Sequence, residues 1–515
     1  MQHSQPKGKV HSPAIKTSRW SFVIRISIIS VIIIALVISN ARIYPTGEVE
    51  EGASLETFKA HLDERIPALM EVYAVPGVNV ALVKGGEVVW SGVYGYADME
   101  NGRKMTTDTY QRVESISKSL TAWGVMSLVE QGKIELDRPV EQYLHNWELP
   151  SSDFPEEKVT VRQLLTHTAG FPLGDVFERY LPAEEMPSLE DSLSGEAYLV
   201  NEPGSTFHYS NTGYNLLELL IEEVTGRDFA EYMEEDVLMP LGMSSATFTW
   251  SEELEPAVPV GYDVKGGAMP VYVYPEKGSG GLLTTAEDVA SFISAGMISA
   301  TAGEAVLSSQ SISKLYTPAV DNIGVYDLVF DSYGLGHYIE VLPNGMQAVA
   351  HGGQGGGVMT HFHSVPETGD GIVILANSQR SWPFFAYILS DWAVWRGLSS
   401  VGMGMIIVGQ KVLWGVISLI LFFSLLQVWQ ILQNLIAGRR KFAPLAKESR
   451  FLRLGQLTSF IALVSLLKWA ASQDYLFLTS VFPVASSWLG VSILAFAVVL
   501  LLLSLLPYLI EVFDH

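Results

Sequence analysis

No charged side chain occurs between Val412 and Gly438, and none between Tyr475 and Ile510. Runs of this kind constrain the chain more than any other feature, because about 20 consecutive apolar residues cross the hydrocarbon core of a bilayer as a helix. Val412 to Gly438 is long enough to span with some tilt. Leu454 to Ala471 is a second run, with Lys468 near its outer end where a long side chain can snorkel. The later part of the last run, from about Ser486, is a third. Their length argues against buried helices of a soluble domain. Residues 402–515 therefore read as three transmembrane helices, with Arg439, Arg440, Lys441, Lys447, Arg450 and Arg453, offset only by Glu448, between the first two.

Trp20 to Ala41 is a further apolar run, interrupted once by Arg25 and preceded by Lys7, Lys9, Lys16 and Arg19. A basic flank before an apolar core is the layout of a signal peptide or signal anchor, and Ser39-Asn40-Ala41 would satisfy a small-residue cleavage site. Basic flanks stay on the cytoplasmic side, so the two ends give one topology. The expected organisation is a cytoplasmic basic tail with signal peptide or anchor over 1–45, an extracytoplasmic globular domain over 46–398, and three transmembrane helices over 402–515 with a basic cytoplasmic loop at 439–453. The protein is then a multi-pass protein of the cell membrane. The globular part is acidic and the net charge is −23. That excess argues against nucleic acid as a partner, since phosphate binding needs clustered Lys and Arg. The chain has no cysteine, which excludes disulfides, thiolate catalysis and Cys-based zinc sites.

Within the globular part, Leu55 to Val72 carries an apolar stripe at helical spacing and ends at Pro76-Gly77. Val78 to Val83 alternates as a strand, and Lys84-Gly85-Gly86-Glu87 turns into Val88-Val89-Trp90. Mostly helical and loop sequence follows to about residue 300, with a helix expected from Asn215 to Thr225. Strands return at Tyr333 to Glu340, Gln347 to His351, Met359 to Ser364 and Gly371 to Ala376, and Trp382 to Trp395 closes as a helix. Strands at both ends around a helical middle predict an α+β sheet domain with an inserted helical lobe.

The chemistry concentrates in three places. Val113 to Gly132 reads as an amphipathic helix whose first turn places Ser115 and Lys118 on one face. A serine at a helix N-terminus sits where the dipole favours developing negative charge, and a lysine whose pKa is lowered by burial can take its proton. Ser-x-x-Lys also occurs at Ser4, Ser311 and Ser465, but only Ser115 has a long helix behind it and partners downstream. Tyr209-Ser-Asn211 is the only Tyr-x-Asn among 21 tyrosines. A phenol beside an ammonium can relay a proton, and the asparagine can bond both the lysine and a substrate amide. His351-Gly352-Gly353-Gln354 ends a strand, where glycine admits a substrate backbone and a free N–H could serve an oxyanion hole. The glycines lack the Gly-Lys-Ser/Thr ending of a phosphate loop, and no Gly-x-Ser-x-Gly elbow supports a lipase-type reading.

Ser-x-x-Lys, Tyr-x-Asn and His-x-Gly in this order resemble the serine β-lactamase and penicillin-binding superfamily, on the branch of class C β-lactamases, D-alanyl-D-alanine carboxypeptidase B and related esterases and D-aminopeptidases. Thr160 to Gly170, Pro240 to Met243 and Gly280 to Asp288 resemble it too, and the likeness covers about residues 53–395. It implies a β-lactamase/transpeptidase-like antiparallel sheet flanked by helices, with a helical lobe and the site between them. It makes Ser115 the acylated nucleophile, Lys118 its activating partner, Tyr209 the proton-transfer group with Asn211 beside it, and the N–H groups of Ser115 and Gln354 the oxyanion hole. No cofactor is implied, and His167 is expected to be structural. His351 stands where β-lactamases have the lysine of Lys-Thr-Gly. A mostly neutral imidazole holds a substrate carboxylate less firmly, which fits peptidase and esterase relatives. The layout is similar to membrane-bound prodrug-activating D-aminopeptidases, which remove an N-acyl-D-asparagine cap. The function expected is a membrane-tethered extracytoplasmic serine hydrolase working through a Ser115 acyl-enzyme on amides or esters of D-amino acids or acylated peptides. It is first of all a D-amino-acid-specific or prodrug-type peptidase, with a small-molecule or peptide substrate that includes acylated or cell-wall-derived ones. The alternatives are an esterase or β-lactamase of the same fold and a non-hydrolytic acylated sensor.

Overall fold

The structure is a computed structural model and describes residues 19–41, 43, 45, 47–174, 179–298, 302–446, 449–473 and 476–508. Lys7, Lys9, Lys16, Lys447, Glu448 and Tyr475 lie outside the described residues. The chain forms two compact units. The larger takes Ile43–Gln410 with Phe477–Pro483, and the smaller takes the described residues up to Ala41, Lys411–Leu476 and those from Val484 onward.

In the larger unit the stripe on Leu55–Tyr73 buries Phe58, Leu62, Ile66 and Leu69. Ser54 caps its start by accepting from the Thr57 N–H at 3.1 Å, and Ala74 ends it in the left-handed conformation at φ 54°. The chain then enters a hairpin of Gly77–Lys84 and Glu87–Asp98. Gly77–Lys84 also pairs antiparallel with Asp370–Ala376, Val78 opposite Ala376 and Val83 opposite Gly371. An eight-stranded antiparallel sheet results. Its spatial order is Arg103–Lys104, Glu87–Asp98, Gly77–Lys84, Asp370–Ala376, Val358–Val365, Gln347–Gly355, Tyr338–Val341 and Ser332–Tyr333.

The side-chain period of two divides each central strand between two cores. Val78, Val80, Leu82, Ile372 and Ile374 pack with Leu55–Tyr73 and Ser381–Trp395 on one face. Ala81, Val83, Val373 and Leu375 pack on the other with the helices Ile116–Glu130, Asn211–Thr225 and Ala286–Ala295. The sheet with its helical lobe is thus the α+β arrangement expected.

Two expectations are corrected. Tyr333 to Glu340 is not one strand but a hairpin, Ser332–Tyr333 paired with Tyr338–Val341. Gly336 takes φ 80° and the Gly334 N–H bonds the His337 carbonyl, so the chain reverses where the alternating pattern alone suggests continuation. The helix predicted from Asn215 begins at Asn211, because the Ser210 hydroxyl accepts from the Gly213 N–H at 3.0 Å and caps it there.

A buried ion pair ties the two helices of the first core together. Asp391 accepts from Arg65 Nε at 2.8 Å and from His61 Nε2 at 2.9 Å, and Arg65 also donates to the Pro45 carbonyl. Asp391→Ala leaves that guanidinium buried without its carboxylate, which costs about 3–5 kcal/mol. We expect a matching drop in the denaturant midpoint of the detergent-solubilised protein, and an unchanged midpoint would show the pair to be dispensable.

Among the described residues four helices are long and apolar enough to cross a membrane: Val23–Asn40, Gly404–Ile436, Arg450–Ala471 and Pro483–Leu505. Gly404–Ile436 starts earlier than its uncharged run, and the division between units falls inside it, after Gln410. Within the smaller unit Arg453 is buried and its guanidinium donates to the carbonyls of Ala443, Pro444, Ala446 and Ser504. Arg440 donates to the Leu506 carbonyl and lies 3.9 Å from the centroid of the Tyr508 ring. Arg453 thus satisfies three carbonyls of the basic loop and one of the last helix, while Arg440 reaches a carbonyl just past that helix.

Candidate active site

Ser115 precedes the helix Ile116–Glu130 as its N-cap residue, and its hydroxyl makes no capping bond. It is the one residue from Gln111 to Leu128 that keeps partial exposure. The helix behind it is not amphipathic, as its spacing suggests, but enclosed on every side. Its small hydroxyls point inward and fasten neighbouring loops. Ser117 accepts from the Leu282 N–H, Ser119 donates to the Gly336 carbonyl and Thr121 donates to the Gly278 carbonyl. Serines and threonines that look solvent-facing in a helical projection are internal anchors here.

Lys118 lies one turn below Ser115 and is fully buried. Its Nζ is 3.0 Å from Ser115 Oγ, 2.7 Å from Asn211 Oδ1 and 2.7 Å from the Ser279 carbonyl. Burial lowers its pKa to about 7, against the opposing charge of Glu114. A lysine so placed exchanges its proton near neutrality. The Tyr209 ring centroid lies 5.1 Å from the same Nζ. Ser115, Tyr209, Asn211 and Ser279 are partly exposed above the sealed lysine.

The Tyr209 loop is held from below by His167, whose ring lies 4.2 Å from that of Tyr209 and whose Nδ1 accepts from the Ser210 N–H at 3.1 Å. Burial and the nearby Lys118 keep His167 well below its ordinary pKa, hence neutral. The Ser210 hydroxyl donates to the Pro172 carbonyl, and the Asn211 N–H to the Leu173 carbonyl.

The repeated motif at Ser311 has the opposite arrangement. Ser311 is buried while Lys314 faces solvent, in a helix that runs only over Ser309–Leu315.

A family model described as Beta-lactamase matches residues 62–389, a stretch that holds Ser115, Lys118, Tyr209, Asn211 and His351. The chain belongs to the beta-lactamase family.

Its relatives agree. Protein flp of Staphylococcus aureus (strain MW2) is 28% identical over 227 residues, 42% of this chain and 45% of that protein. Penicillin-binding protein 4* of Bacillus subtilis (strain 168) is 30% identical over 207 residues, 38% of this chain and 43% of that protein. The matched part is thus less than half the length of these curated relatives. The octameric penicillin-binding protein homologue from Pyrococcus abyssi superposes with a TM-score of 0.59 at 29% identity, covering 69% of this chain and 81% of that one.

In this beta-lactamase-family chain, His351 to Gln354 lie inside the strand Gln347–Gly355 rather than at its end. Gly353 is where the strand meets the segment leading into Ser115. A methyl built there would overlap the Val113 carbonyl oxygen and the Thr360 hydroxyl, which donates to that carbonyl at 2.8 Å. At Gly352 a methyl would sit 2.7 Å from the Trp382 ring. The Gln354 amide oxygen accepts from Trp382 Nε1 at 3.3 Å.

His351 is 1% exposed. Its Nδ1 lies 2.8 Å from the Gly352 carbonyl, which can only accept, so Nδ1 carries the proton and Nε2 accepts from the Tyr333 hydroxyl at 3.3 Å. Burial and Lys118 hold it well below the ordinary imidazole pKa. Both nitrogens are used inside the protein, so the ring presents neither a charge nor a spare donor to a substrate carboxylate. Its packing against Tyr338, with ring centroids 5.2 Å apart, supports the strand.

Three residues matter here that sequence reasoning does not single out. Ser279 contributes a carbonyl to Lys118, which its side-chain type cannot reveal. Glu218, buried and with its pKa pushed up to about 8 by that burial, accepts from the N–H groups of Lys277 and Gly278 and so fixes the loop bearing Ser279. Glu114, directly before Ser115, adopts φ 51°. The one available signal is the glycine-rich Gly278-Ser279-Gly280-Gly281, typical of a loop pressed against other backbone.

Proposed function

We propose that the chain is a serine hydrolase that works through an acyl-enzyme on Ser115. The observation that carries this reading is the buried Lys118, 3.0 Å from Ser115 Oγ and poised to exchange its proton near neutral pH. Neutral Lys118 takes the hydroxyl proton as Ser115 Oγ attacks the substrate carbonyl carbon. The developing oxyanion is received by the N–H groups of Ser115 and Gln354. Tyr209 passes a proton to the leaving amine or alcohol as the tetrahedral intermediate collapses, giving the Ser115 acyl ester. Water, activated by the same groups, attacks the ester and returns Ser115 with release of the acid.

The substrates proposed are amides or esters, with a D-amino-acid-specific or prodrug-type peptidase as the leading assignment. The neutral, internally bonded His351 favours this over a β-lactamase, whose substrates carry a carboxylate that an ammonium holds better. We further propose that the apolar helices tether the catalytic domain on the extracytoplasmic face of the cell membrane.

The test is intact mass of the protein with time after adding a fluorophosphonate, a penicillin or an N-acyl-D-Asn peptide. A transient Ser115 adduct with product release supports a hydrolase, and the preferred probe identifies the substrate class. An adduct that persists with every probe points to an acylated sensor. We expect Ser115→Ala to abolish labelling and Ser311→Ala to leave it unchanged; the reverse result would overturn the assignment.

A further inference from the structure

We propose that Glu114 is a positioning residue for acylation: its carboxylate, gripped by the hydroxyls of Tyr272 and Tyr274, locks the left-handed turn that sets Ser115 against the Gly353–Gly355 edge. The proposal rests on the reading of Ser115 as the nucleophile. Glutamate at φ 51° occupies a region that side-chain-bearing residues rarely adopt, and it lacks the short polar side chain with which Asn or Asp compensates locally. Such a conformation persists only where surrounding contacts over-determine it.

Those contacts are present and converge on one side chain. Glu114 is 3% exposed; its Oε1 accepts from the Tyr272 hydroxyl at 2.8 Å and its Oε2 from the Tyr274 hydroxyl at 3.2 Å. Behind Tyr272 stand two guanidinium groups, Arg112 at 4.3 Å and Arg179 at 5.2 Å from the ring centroid. From the sheet, a methyl at Gly353 would come within 2.9 Å of Glu114 Cβ, and one at Gly355 would overlap Oε1. On the third side, a methyl at Gly280 would lie 3.6 Å from Oε2, in the loop whose Ser279 carbonyl bonds Lys118. One side chain therefore joins the segment Tyr272 to Tyr274, the oxyanion strand and the lysine loop at the residue before the nucleophile. Its carboxylate is engaged by tyrosines rather than directed at the opening, so it acts through the backbone of Ser115 and not on substrate.

A charge effect accompanies the geometric one. Glu114 is the anion facing Lys118, whose other titratable neighbours are His167, His351, Tyr209 and Tyr214. Burial pushes the Glu114 pKa up, and Arg112, Tyr272, Tyr274 and Arg179, which face its carboxylate, oppose that rise. Removing the anion while keeping the shape should let Lys118 lose its proton at lower pH. Glu114→Gln can still bond both tyrosines, one as acceptor and one as donor.

The experiment uses full-length protein in detergent and reads fluorophosphonate labelling of Ser115 against pH, together with hydrogen exchange of the amides of residues 113–117. Glu114→Gln should keep the plateau rate and move the rising limb to lower pH. Glu114→Ala and Glu114→Gly should lose about tenfold or more in plateau rate, because a small misplacement of the nucleophile is costly. Their 113–117 amides should exchange faster, while those of Glu114→Gln stay protected. A Glu114→Ala protein that labels at the wild-type plateau, or that exchanges no faster than Glu114→Gln, overturns the proposal. A wild-type protein that never labels, with the exchange contrast intact, would sink the hydrolase reading and leave the clamp standing.

Discussion

Replacing Lys118 by alanine should slow the acylation of Ser115 by about a hundred- to ten-thousandfold, the usual contribution of a positioned proton-transfer group. Among the described residues its Nζ is the only basic nitrogen within hydrogen-bond distance of Ser115 Oγ. His167 and His351 are buried nearby, but His167 bonds the Ser210 N–H, and His351 bonds the Gly352 carbonyl and the Tyr333 hydroxyl. The sign of the pH dependence follows from the lowered pKa. Below about 7 the Nζ holds its proton and cannot accept another; above it the amine is free. Wild-type labelling should therefore rise with pH through neutrality and then level off, and Lys118→Ala should lose that limb along with the rate. Lys118→Arg should not rescue, since a guanidinium stays protonated. Time-resolved intact mass with a fluorophosphonate at a series of pH values reads both effects. A rising limb that survives in Lys118→Ala would assign the titration to another group.

Gly353→Ala should be nearly as damaging, by a different route. The added methyl meets the Val113 backbone oxygen and the Thr360 hydroxyl, and these two are already bonded to each other. Neither is the loose end of a flexible side chain, so the strand must back away from the residues that precede Ser115. Overpacking of this kind costs about 1–3 kcal/mol in stability. The rate should fall further, by about a hundredfold, because a displacement of about 1 Å between catalytic groups has that effect. Gly195→Ala is the control: nothing lies within 4 Å of a methyl there, and its helix Leu189–Glu196 should tolerate or welcome the change. Thermal midpoints and labelling rates of the two variants should separate clearly. A Gly353→Ala protein that matches Gly195→Ala in both would show that the close approach is not required.

The parts of the site that are legible in the sequence are those where chemistry depends on side-chain type at short spacing. Ser115 and Lys118 share a helix face, and Tyr209 and Asn211 flank one residue, so each pair is visible without knowing the fold. Ser279 and Glu114 are not visible in this way. One acts through a carbonyl and the other through a backbone dihedral, and neither property belongs to a residue type. The helix Ile116–Glu130 misleads for a related reason. Its serines and threonine suggest a wet face, yet the hydroxyls of Ser117, Ser119 and Thr121 each meet a backbone group of a segment distant in sequence. His351 could be placed by its motif, but its neutrality comes from burial beside Tyr333 and Tyr338, which only the hairpin Ser332–Val341 brings there. The sheet was readable at its alternating strands and failed at that hairpin, where the turn lies within an otherwise extended pattern.

The pairing of Gly77–Lys84 with Asp370–Ala376 also sets a timetable. The early hairpin reaches the ribosome exit long before its central partner, and until then one edge of Gly77–Lys84 has no strand to bond. Contacts this remote along the chain make closure slow rather than weak, since loop entropy grows only with the logarithm of length. The helices of the lobe can assemble in the interval, but the sheet that presents Gly353 to Ser115 cannot. A chain that stops short of Gly371 would carry an open, apolar strand edge of the kind that recruits other copies. Its expected fate in a sedimentation experiment is self-association, not a smaller folded unit.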